Sequence, residues 1–233
     1  MLLLLLMPFS GQARAQSQSP GLEFSYSLID VEIPVESVIQ QLYENLLPEV
    51  TSSGTSLFAI FTPVTKPGDA PFAGLATNQL VLMLAFTGDA AAQLPELESK
   101  LLALAGVKTV ASKLYQPVYL PDGPRIVTGA GFYVHRDEHY ALADLDEAVR
   151  LSREAWRTWE PAFGVKIAGL FREMPDLDGI VRLNRIAWYP SYEVWLDTRN
   201  FEKDPESQQR FAERRQYLIP GSGIAVATDR ALP

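Results

Sequence analysis

The stretch FSYSLIDVEIPVESVIQQLYENLL, residues 24–47, contains a strand pattern followed at once by a helix pattern. The strand has two different faces: apolar Ile29, Val31 and Ile33 on one, and Tyr26, Leu28, Asp30 and Glu32 on the other. Pro34 ends the strand and suits the first turn of a helix, because its φ is already fixed. Apolar residues then recur at helical spacing and predict a core-facing stripe: Val38, Ile39, Leu42, Tyr43, Leu46 and Leu47.

Two strands, a second helix and a closing strand follow, and the whole order then occurs again. The first unit has strand patterns near 57–64, 80–86 and 107–120 and a helix pattern near 94–105. The second has strand patterns at 126–135, 165–171, 180–188 and 224–228, a long helix from 145 that Pro161 ends, and a helix that Asp204 caps. This β-α-β-β-α-β order is typical of the ferredoxin-like fold.

The sequence therefore predicts an α+β chain of two tandem ferredoxin-like repeats, at residues 23–121 and 125–233. The turn Pro121-Asp122-Gly123-Pro124 marks the boundary. A ferredoxin-like sheet carries helices on one face only, so its other face needs cover. Two sheets in one chain can cover each other, which predicts an intramolecular dimeric α/β-barrel whose enclosed space is the natural ligand pocket.

Composition narrows the class of function. The 233 residues are 47% hydrophobic with a formal net charge of −8, which argues against binding to nucleic acid. No cysteine is present, so the sequence offers no disulfide and no thiolate metal site. Residues 1–15 have the pattern of a secretory signal peptide, with a small-x-small motif before Gln16, and residues 16–22 predict a flexible leader. The expected location is periplasmic or secreted, with no membrane span after cleavage; the alternative is a hydrophobic tail from a wrong start codon.

The two histidines are the first candidates for chemistry. If Phe132 and Val134 face the helices, then Tyr133 and His135 face the enclosed side, where His135 is a candidate general base or axial ligand. The alternative is a loop histidine exposed beside carboxylates. His135 and His139 with Asp137 or Glu138 have no fixed ligand geometry, so no metal site is predicted.

Carboxylates on the first strand are the other candidates. Asp30 and Glu32 face the enclosed side and are expected to meet Lys113, Arg182 or Asn184, where a buried carboxylate could transfer protons. The alternative is an ordinary solvated sheet face. The predicted catalytic candidates are thus His135, Tyr133, Asp30 and Glu32. The predicted pocket residues are Tyr26, Lys113, Arg182, Asn184, Trp188 and Tyr192.

Residues 180–215 resemble the NIPSNAP family of the dimeric α/β-barrel group. The apolar strand Ile180–Trp188 leads into Tyr189-Pro190-Ser191-Tyr192-Glu193, similar to the family's strand and Tyr-x-Ser-type turn. Arg199 and Asp204-Pro205-Glu206 followed by Phe211 are similar to a second family stretch, although Ser207 stands where many relatives have an aromatic residue. The resemblance covers about half of the chain. It implies the fold, and it transfers no catalytic set.

The expected function is a NIPSNAP-like exported protein that binds a small apolar ligand or a protein partner in or beside the barrel. No cofactor is expected in that case. The alternative is an enzyme of the same barrel group, either a cofactor-independent monooxygenase or a haem-binding protein with His135 in its site. A third possibility is a purely structural partner protein whose sheets leave no cavity.

Overall fold

The computed structural model describes residues 21–52, 54–64, 73–123 and 131–230. The first repeat consists of β1 Leu22–Val31, α1 Val35–Gln41, a π-helical turn Leu42–Leu46, α2 Leu47–Thr51, β2 Thr55–Pro63, β3 Ala73–Gly74, β4 Gln79–Thr87, α3 Ala90–Leu102 and β5 Val107–Tyr119. The second consists of β6 Phe132–Ala141, α4 Leu145–Phe163, β7 Lys166–Met174, β8 Ile180–Tyr189, α5 Tyr192–Asp197, α6 Pro205–Arg215 and β9 Ile224–Arg230. The predicted signal peptide lies outside the described residues, so export stays a prediction.

Eight strands close into one antiparallel barrel. The order is β2-β4-β1-β5 in the first repeat and β7-β8-β6-β9 in the second, so each repeat has the same ferredoxin-like arrangement. β5 pairs with β7 from Leu114↔Met174 to Tyr119↔Leu170, and β2 pairs with β9 at Phe61↔Arg230 to Pro63↔Thr228. The last strand of each repeat thus joins the second strand of the other. The predicted fold class is confirmed, and the closed sheet leaves few free edges.

Helices cover the outside of each half-barrel. In the first repeat, α1, α2 and α3 bury a mainly apolar layer that includes Ile29, Val38, Leu42, Leu82 and Leu101. In the second repeat, α4 and α6 pack on a layer rich in aromatic side chains, among them Trp156, Trp159 and Trp195. Two spatially separate helix-facing cores and one shared barrel interior therefore stabilise the chain. No helix in the described ranges is long and apolar enough to cross a membrane.

The barrel interior is filled with aromatic rings at one end. Phe171 of β7 lies edge-on against Phe24 and Phe58, with ring centroids 5.0 and 5.6 Å apart, and also contacts Tyr115. Such edge-to-face pairs add to the free energy gained by burying the rings. Because Phe171 belongs to the second repeat and its three partners to the first, this cluster joins the two repeats.

Three sequence-based expectations differ from the structure. β6 continues to Ala141, so His135 lies inside a strand and not at its end. The alternation of apolar and polar residues was not recognised there, because Arg136 and Glu138 are charged although they face the helices. α4 continues past Pro161 to Phe163, and Gly164 ends it with a left-handed φ of 65°. The short strand β3, parallel to β9, was not predicted.

Candidate functional site at the open end of the barrel

Solvent reaches the barrel interior at one end, which we call the open end. Thr109, Ala111 and Lys113 of β5 point inward, in register with Asp30, Leu28 and Tyr26 of β1, yet all three are exposed. On the opposite side, Ile224 of β9 pairs with inward-facing Asp137 of β6 and is 61% exposed. Inward-facing residues of a closed barrel remain exposed only where the interior opens to water. The open end is therefore a solvent-accessible part of the interior, lined by both repeats.

A line of polar side chains crosses the interior just below the open end. Asn184 of β8 hydrogen-bonds to Tyr115 of β5, whose ring lies 6.0 Å from that of Tyr26 on β1. The Tyr26 hydroxyl lies 3.3 Å from Nδ1 of His135 on β6, and Nε2 of His135 lies 3.0 Å from Oγ1 of Thr228 on β9. Five strands from both repeats thus contribute one residue each to a connected set, which we call the polar belt.

His135 is a neutral imidazole held in place on all sides. It is 3% exposed, and the ring of Phe61 stands edge-on to it at 4.4 Å. Burial lowers the pKa of His135 to about 3, because the apolar interior disfavours the charged form. A neutral ring has one N–H, so one of its nitrogens donates a hydrogen bond and the other accepts one. The partners of these two nitrogens are the hydroxyl groups of Tyr26 and Thr228. The alternative of an exposed loop histidine is wrong.

The low pKa of His135 predicts acid sensitivity. An unfolded chain takes up a proton at histidine near pH 6.5, whereas the folded chain does so only near pH 3. The contribution to stability is therefore complete above about pH 6.5 and is lost as the pH falls toward 3. We expect His135→Gln to flatten the loss of unfolding free energy between pH 7 and 4, measured by urea denaturation. An unchanged slope would contradict the buried neutral state.

Burial also acts on the two tyrosines of the polar belt. It raises the pKa of Tyr26 far above its ordinary value, and the negative charge of Asp137 adds to the effect. Burial likewise raises the pKa of Tyr115, while the hydrogen bond from Asn184 opposes that rise. Both hydroxyls therefore stay protonated at neutral pH and can serve as hydrogen-bond donors.

Charged residues form the rim of the open end. Glu173 of β7 accepts a hydrogen bond from Nζ of Lys113 at 2.7 Å, and its other carboxylate oxygen lies 2.9 Å from Nη1 of Arg182 on β8. Asp137 is 3.2 Å from Nε2 of His139 on the neighbouring position of the same face. These pairs place both signs of charge within reach of solvent beside the polar belt, where they can orient a polar ligand.

The carboxylates predicted on β1 have other surroundings than expected. Asp30 accepts hydrogen bonds from Gln79 and Thr109, and these bonds lower its pKa. The expected partners Lys113 and Arg182 instead meet Glu173. Glu32 lies beyond the end of β1 and is exposed. The reason is the register of the barrel, which places Glu173 and not Asp30 between the two cations.

The other predicted pocket residues separate into two groups. Tyr26, Lys113, Arg182 and Asn184 all lie at the open end or in the polar belt. Tyr133 is fully buried against Phe61, and Trp188 packs against the interior cluster. The prediction that Tyr192 lines the pocket is wrong. Tyr192 lies on α5 in the helix-facing layer, with its ring stacked on that of Trp195 at 5.5 Å, because the chain leaves the sheet after Tyr189.

Sequence reasoning missed Tyr115, Glu173 and Thr228. Tyr115 lies two residues after Lys113 and so shares its face, a signal that the alternation of β5 contained. Glu173 is a carboxylate near the end of an apolar strand, and Thr228 ends the predicted last strand. Their roles depend on contacts between the two repeats, which no local pattern contains.

Neither a metal nor haem fits these residues well. In the described ranges, no group of three or more histidine, aspartate or glutamate side chains could hold a metal ion. An axial haem ligand needs a ring nitrogen free to coordinate iron. Both nitrogens of His135 are engaged by Tyr26 and Thr228, and Phe61 packs on the ring. His135 therefore does not fit the role of haem ligand.

The similar solved structures share the fold at low sequence identity. An anthrone oxidase-like protein matches with a TM-score of 0.58 and 10% identity, covering 93% of this chain and 94% of that one. A candidate monooxygenase from Lactobacillus acidophilus matches at 0.55 and 11%, covering 90% and 94%. A candidate chlorite dismutase matches at 0.50 and 13%, covering 90% and 94%.

The chain has the dimeric α/β-barrel fold. No protein-family model and no curated protein matches it. At these identities the solved structures establish the architecture alone, so activity has to be argued from the residues of the open end.

Proposed function

We propose that the open end of the barrel binds a small cyclic organic molecule that carries a hydroxyl or N–H donor. The observation that carries the proposal is Oδ1 of Asn184, which is buried and has no hydrogen-bond partner among the described residues. A buried acceptor without a partner costs about 1–3 kcal/mol. Natural cores rarely keep such atoms without a reason, and a ligand donor would satisfy this one.

The surroundings of Asn184 define the rest of the ligand. The rings of Tyr26 and Tyr115 offer apolar faces next to it, and Leu28 and Ile224 extend the apolar lining toward solvent. A planar ring fits such a surface, with its donor directed at Asn184 and any further polar group directed at the rim. A wholly apolar ligand is a poorer fit, because the apolar end of the interior is already filled by phenylalanines.

Asn184→Leu tests the proposal. Leucine has a similar volume and removes the orphan acceptor, so we expect unchanged or higher stability and at least about tenfold weaker binding of a hydroxylated aromatic ligand. The ligand is first found by a thermal-shift screen of phenols and their methyl ethers, and its affinity is measured by calorimetry. Asn200→Leu, at an exposed loop position, is the matched control. Equal affinity in Asn184→Leu and the unmodified protein would contradict the site.

The second candidate function is a cofactor-independent monooxygenase acting at the same site. It is favoured by the neutral imidazole of His135, which is joined through Tyr26 to the belt and could accept a proton from a bound substrate. In such a reaction a CH₂ group becomes a carbonyl, dioxygen is reduced, and its second oxygen atom leaves as water. The names of the two most relevant neighbours, a candidate monooxygenase and an anthrone oxidase-like protein, support this class. Oxygen uptake with a bound ligand separates an enzyme from a binding protein.

Two more specific parts of the proposal, the family resemblance and the location, rest on the sequence. The resemblance of residues 180–215 supports a NIPSNAP-like second repeat, and the leader pattern of residues 1–15 supports export to the periplasm or beyond. A protein partner remains the alternative occupant of the barrel's outer surfaces. None of these parts alters the chemistry expected at the open end.

A further inference from the structure

The position of the single proton on the His135 ring determines what Tyr26 can offer to a ligand. Nδ1 of His135 lies 3.3 Å from the Tyr26 hydroxyl, and Nε2 lies 3.0 Å from Oγ1 of Thr228. If Nε2 carries the proton, Nδ1 accepts a hydrogen bond from Tyr26, and the Tyr26 proton is used inside the protein. If Nδ1 carries the proton, Tyr26 accepts that hydrogen bond and its own proton remains available.

Thr228 favours the second arrangement. This residue is completely buried, and His135 is the one hydrogen-bond partner of its hydroxyl within the described residues. If Thr228 accepted a hydrogen bond from Nε2, its own O–H would be a buried donor without an acceptor, which is strongly unfavourable. If Thr228 donates to Nε2, only lone pairs of its oxygen are left without a partner, and these are better tolerated. The proton of His135 therefore belongs on Nδ1.

The Tyr26 hydroxyl then has a proton without an acceptor. Nδ1 of His135 is its one hydrogen-bond partner in the part of the chain that the structure describes, and in this arrangement that nitrogen is a donor. Tyr26 is half-buried at the open end, in register with the exposed Lys113. An acceptor for its proton can therefore come from a molecule that enters the open end.

The acceptor of the proposed site lies on the same inner surface. In the β6–β8 register His135 is opposite Ile186, so Asn184, two residues before Ile186, is its diagonal neighbour. Diagonal neighbours on adjacent antiparallel strands lie about 7–8 Å apart. Because the Tyr26 hydroxyl contacts His135, one small aromatic molecule can reach both this hydroxyl and Oδ1 of Asn184.

We propose that Thr228 keeps the proton of His135 on Nδ1, so that Tyr26 donates a hydrogen bond to a carbonyl or other acceptor oxygen of the ligand. Thr228 is a positioning residue, whereas Tyr26 contacts the ligand. The inference rests on the proposed binding function and narrows the ligand to a hydroxylated ring that also carries an acceptor oxygen. With Nδ1 protonated, His135 takes no proton through Tyr26, so the inference favours binding over the enzymatic candidate.

The ring nitrogens of His135 test the first half of the proposal without any ligand. Heteronuclear NMR distinguishes protonated from unprotonated imidazole nitrogens, and the chain has two histidines, so His139→Gln assigns the signals. At neutral pH we expect one neutral form with the proton on Nδ1, and the same form in Thr228→Ser. Thr228→Val lacks the hydroxyl that fixes the proton, so both neutral forms should appear. A proton on Nε2 of the unmodified protein, or the Nδ1 form alone in Thr228→Val, would overturn the proposal.

A matched pair of ligands tests the second half. Meta-hydroxyacetophenone and meta-ethylphenol share the phenolic hydroxyl, and only the first has an acceptor oxygen in its side chain. By calorimetry we expect the unmodified protein to bind the ketone about tenfold more tightly than the ethylphenol, and Tyr26→Phe to bind both about equally. Tyr192→Phe, on α5 in the helix-facing layer, is the matched control and should keep the preference.

The outcomes separate this inference from the proposed function. Binding of both phenols without a preference, or an unchanged preference in Tyr26→Phe, would overturn the inference while the binding site stands. If no phenol of the thermal-shift screen binds, the proposed function is contradicted, and the inference with it.

Discussion

Glu138→Gln is expected to lower the free energy of unfolding by about 3–5 kcal/mol, the range for breaking a buried ion pair by removing one partner. Glutamine keeps the shape of the side chain but removes the charge that faces Arg214 and Arg185. Burial alone would raise the pKa of Glu138, yet Arg214, Arg185 and Arg136 hold it below its ordinary value, so the carboxylate is ionised in the folded protein. The substitution leaves these arginines buried without a counter-charge.

Urea denaturation at neutral pH measures this loss. It is a large fraction of the 5–15 kcal/mol by which domains are ordinarily stable. Glu213→Gln on the exposed face of α6 is the control, since its partner Arg210 is on the same solvent-facing surface, and the denaturation midpoint should hardly move. A loss below about 1 kcal/mol for Glu138→Gln would mean that the carboxylate does not balance the arginines.

Phe171→Ala is expected to destabilise both repeats together, by about 3–5 kcal/mol. Phe171 is fully buried, and its ring touches Phe24, Phe58 and Tyr115, all from the first repeat. Removing it leaves a cavity in the core that the repeats share. The loss should therefore appear as one cooperative transition at a lower denaturant concentration, with no separate unfolding of the second repeat.

Circular dichroism and tryptophan fluorescence report on this transition with different weights, because all four tryptophans belong to the second repeat. Coincident curves from the two probes are the expected result. Phe201→Ala is the control, since that ring is 58% exposed and its loss should have little effect. Non-coincident curves for Phe171→Ala, with the first repeat unfolding at its original midpoint, would show that the repeats fold independently.

Local periodicity was enough to predict the fold. The alternation of residues 24–33, the helical stripe that follows and the recurrence of the same order after Pro121 predicted two ferredoxin-like repeats and their closure into a barrel. Periodicity predicted the strand bounds less well where charged residues occupy positions that face the helices. Arg136 and Glu138 occupy the outer face of β6, where apolar residues are expected, because each has a hydrogen-bond partner from another part of the chain: Gly223 for Arg136 and Arg214 for Glu138.

The candidate site was predictable in part. Alternation correctly placed Tyr26, Lys113, Arg182 and Asn184 on inward-facing positions of their strands, and the same argument placed His135 beside them. The partners of these residues were not predictable, because they depend on how β5 meets β7 and how β9 meets β2. Glu173 lies between Lys113 and Arg182 only because the two repeats are joined at that register.

A crystal structure with the strongest phenolic ligand from the thermal-shift screen is the most direct test of the open end as a binding site. The proposed arrangement requires the ligand hydroxyl within hydrogen-bond distance of Asn184 Oδ1, with its ring against Tyr26 and Tyr115. A ligand bound elsewhere on the protein, with Asn184 Oδ1 still without a partner, would contradict it.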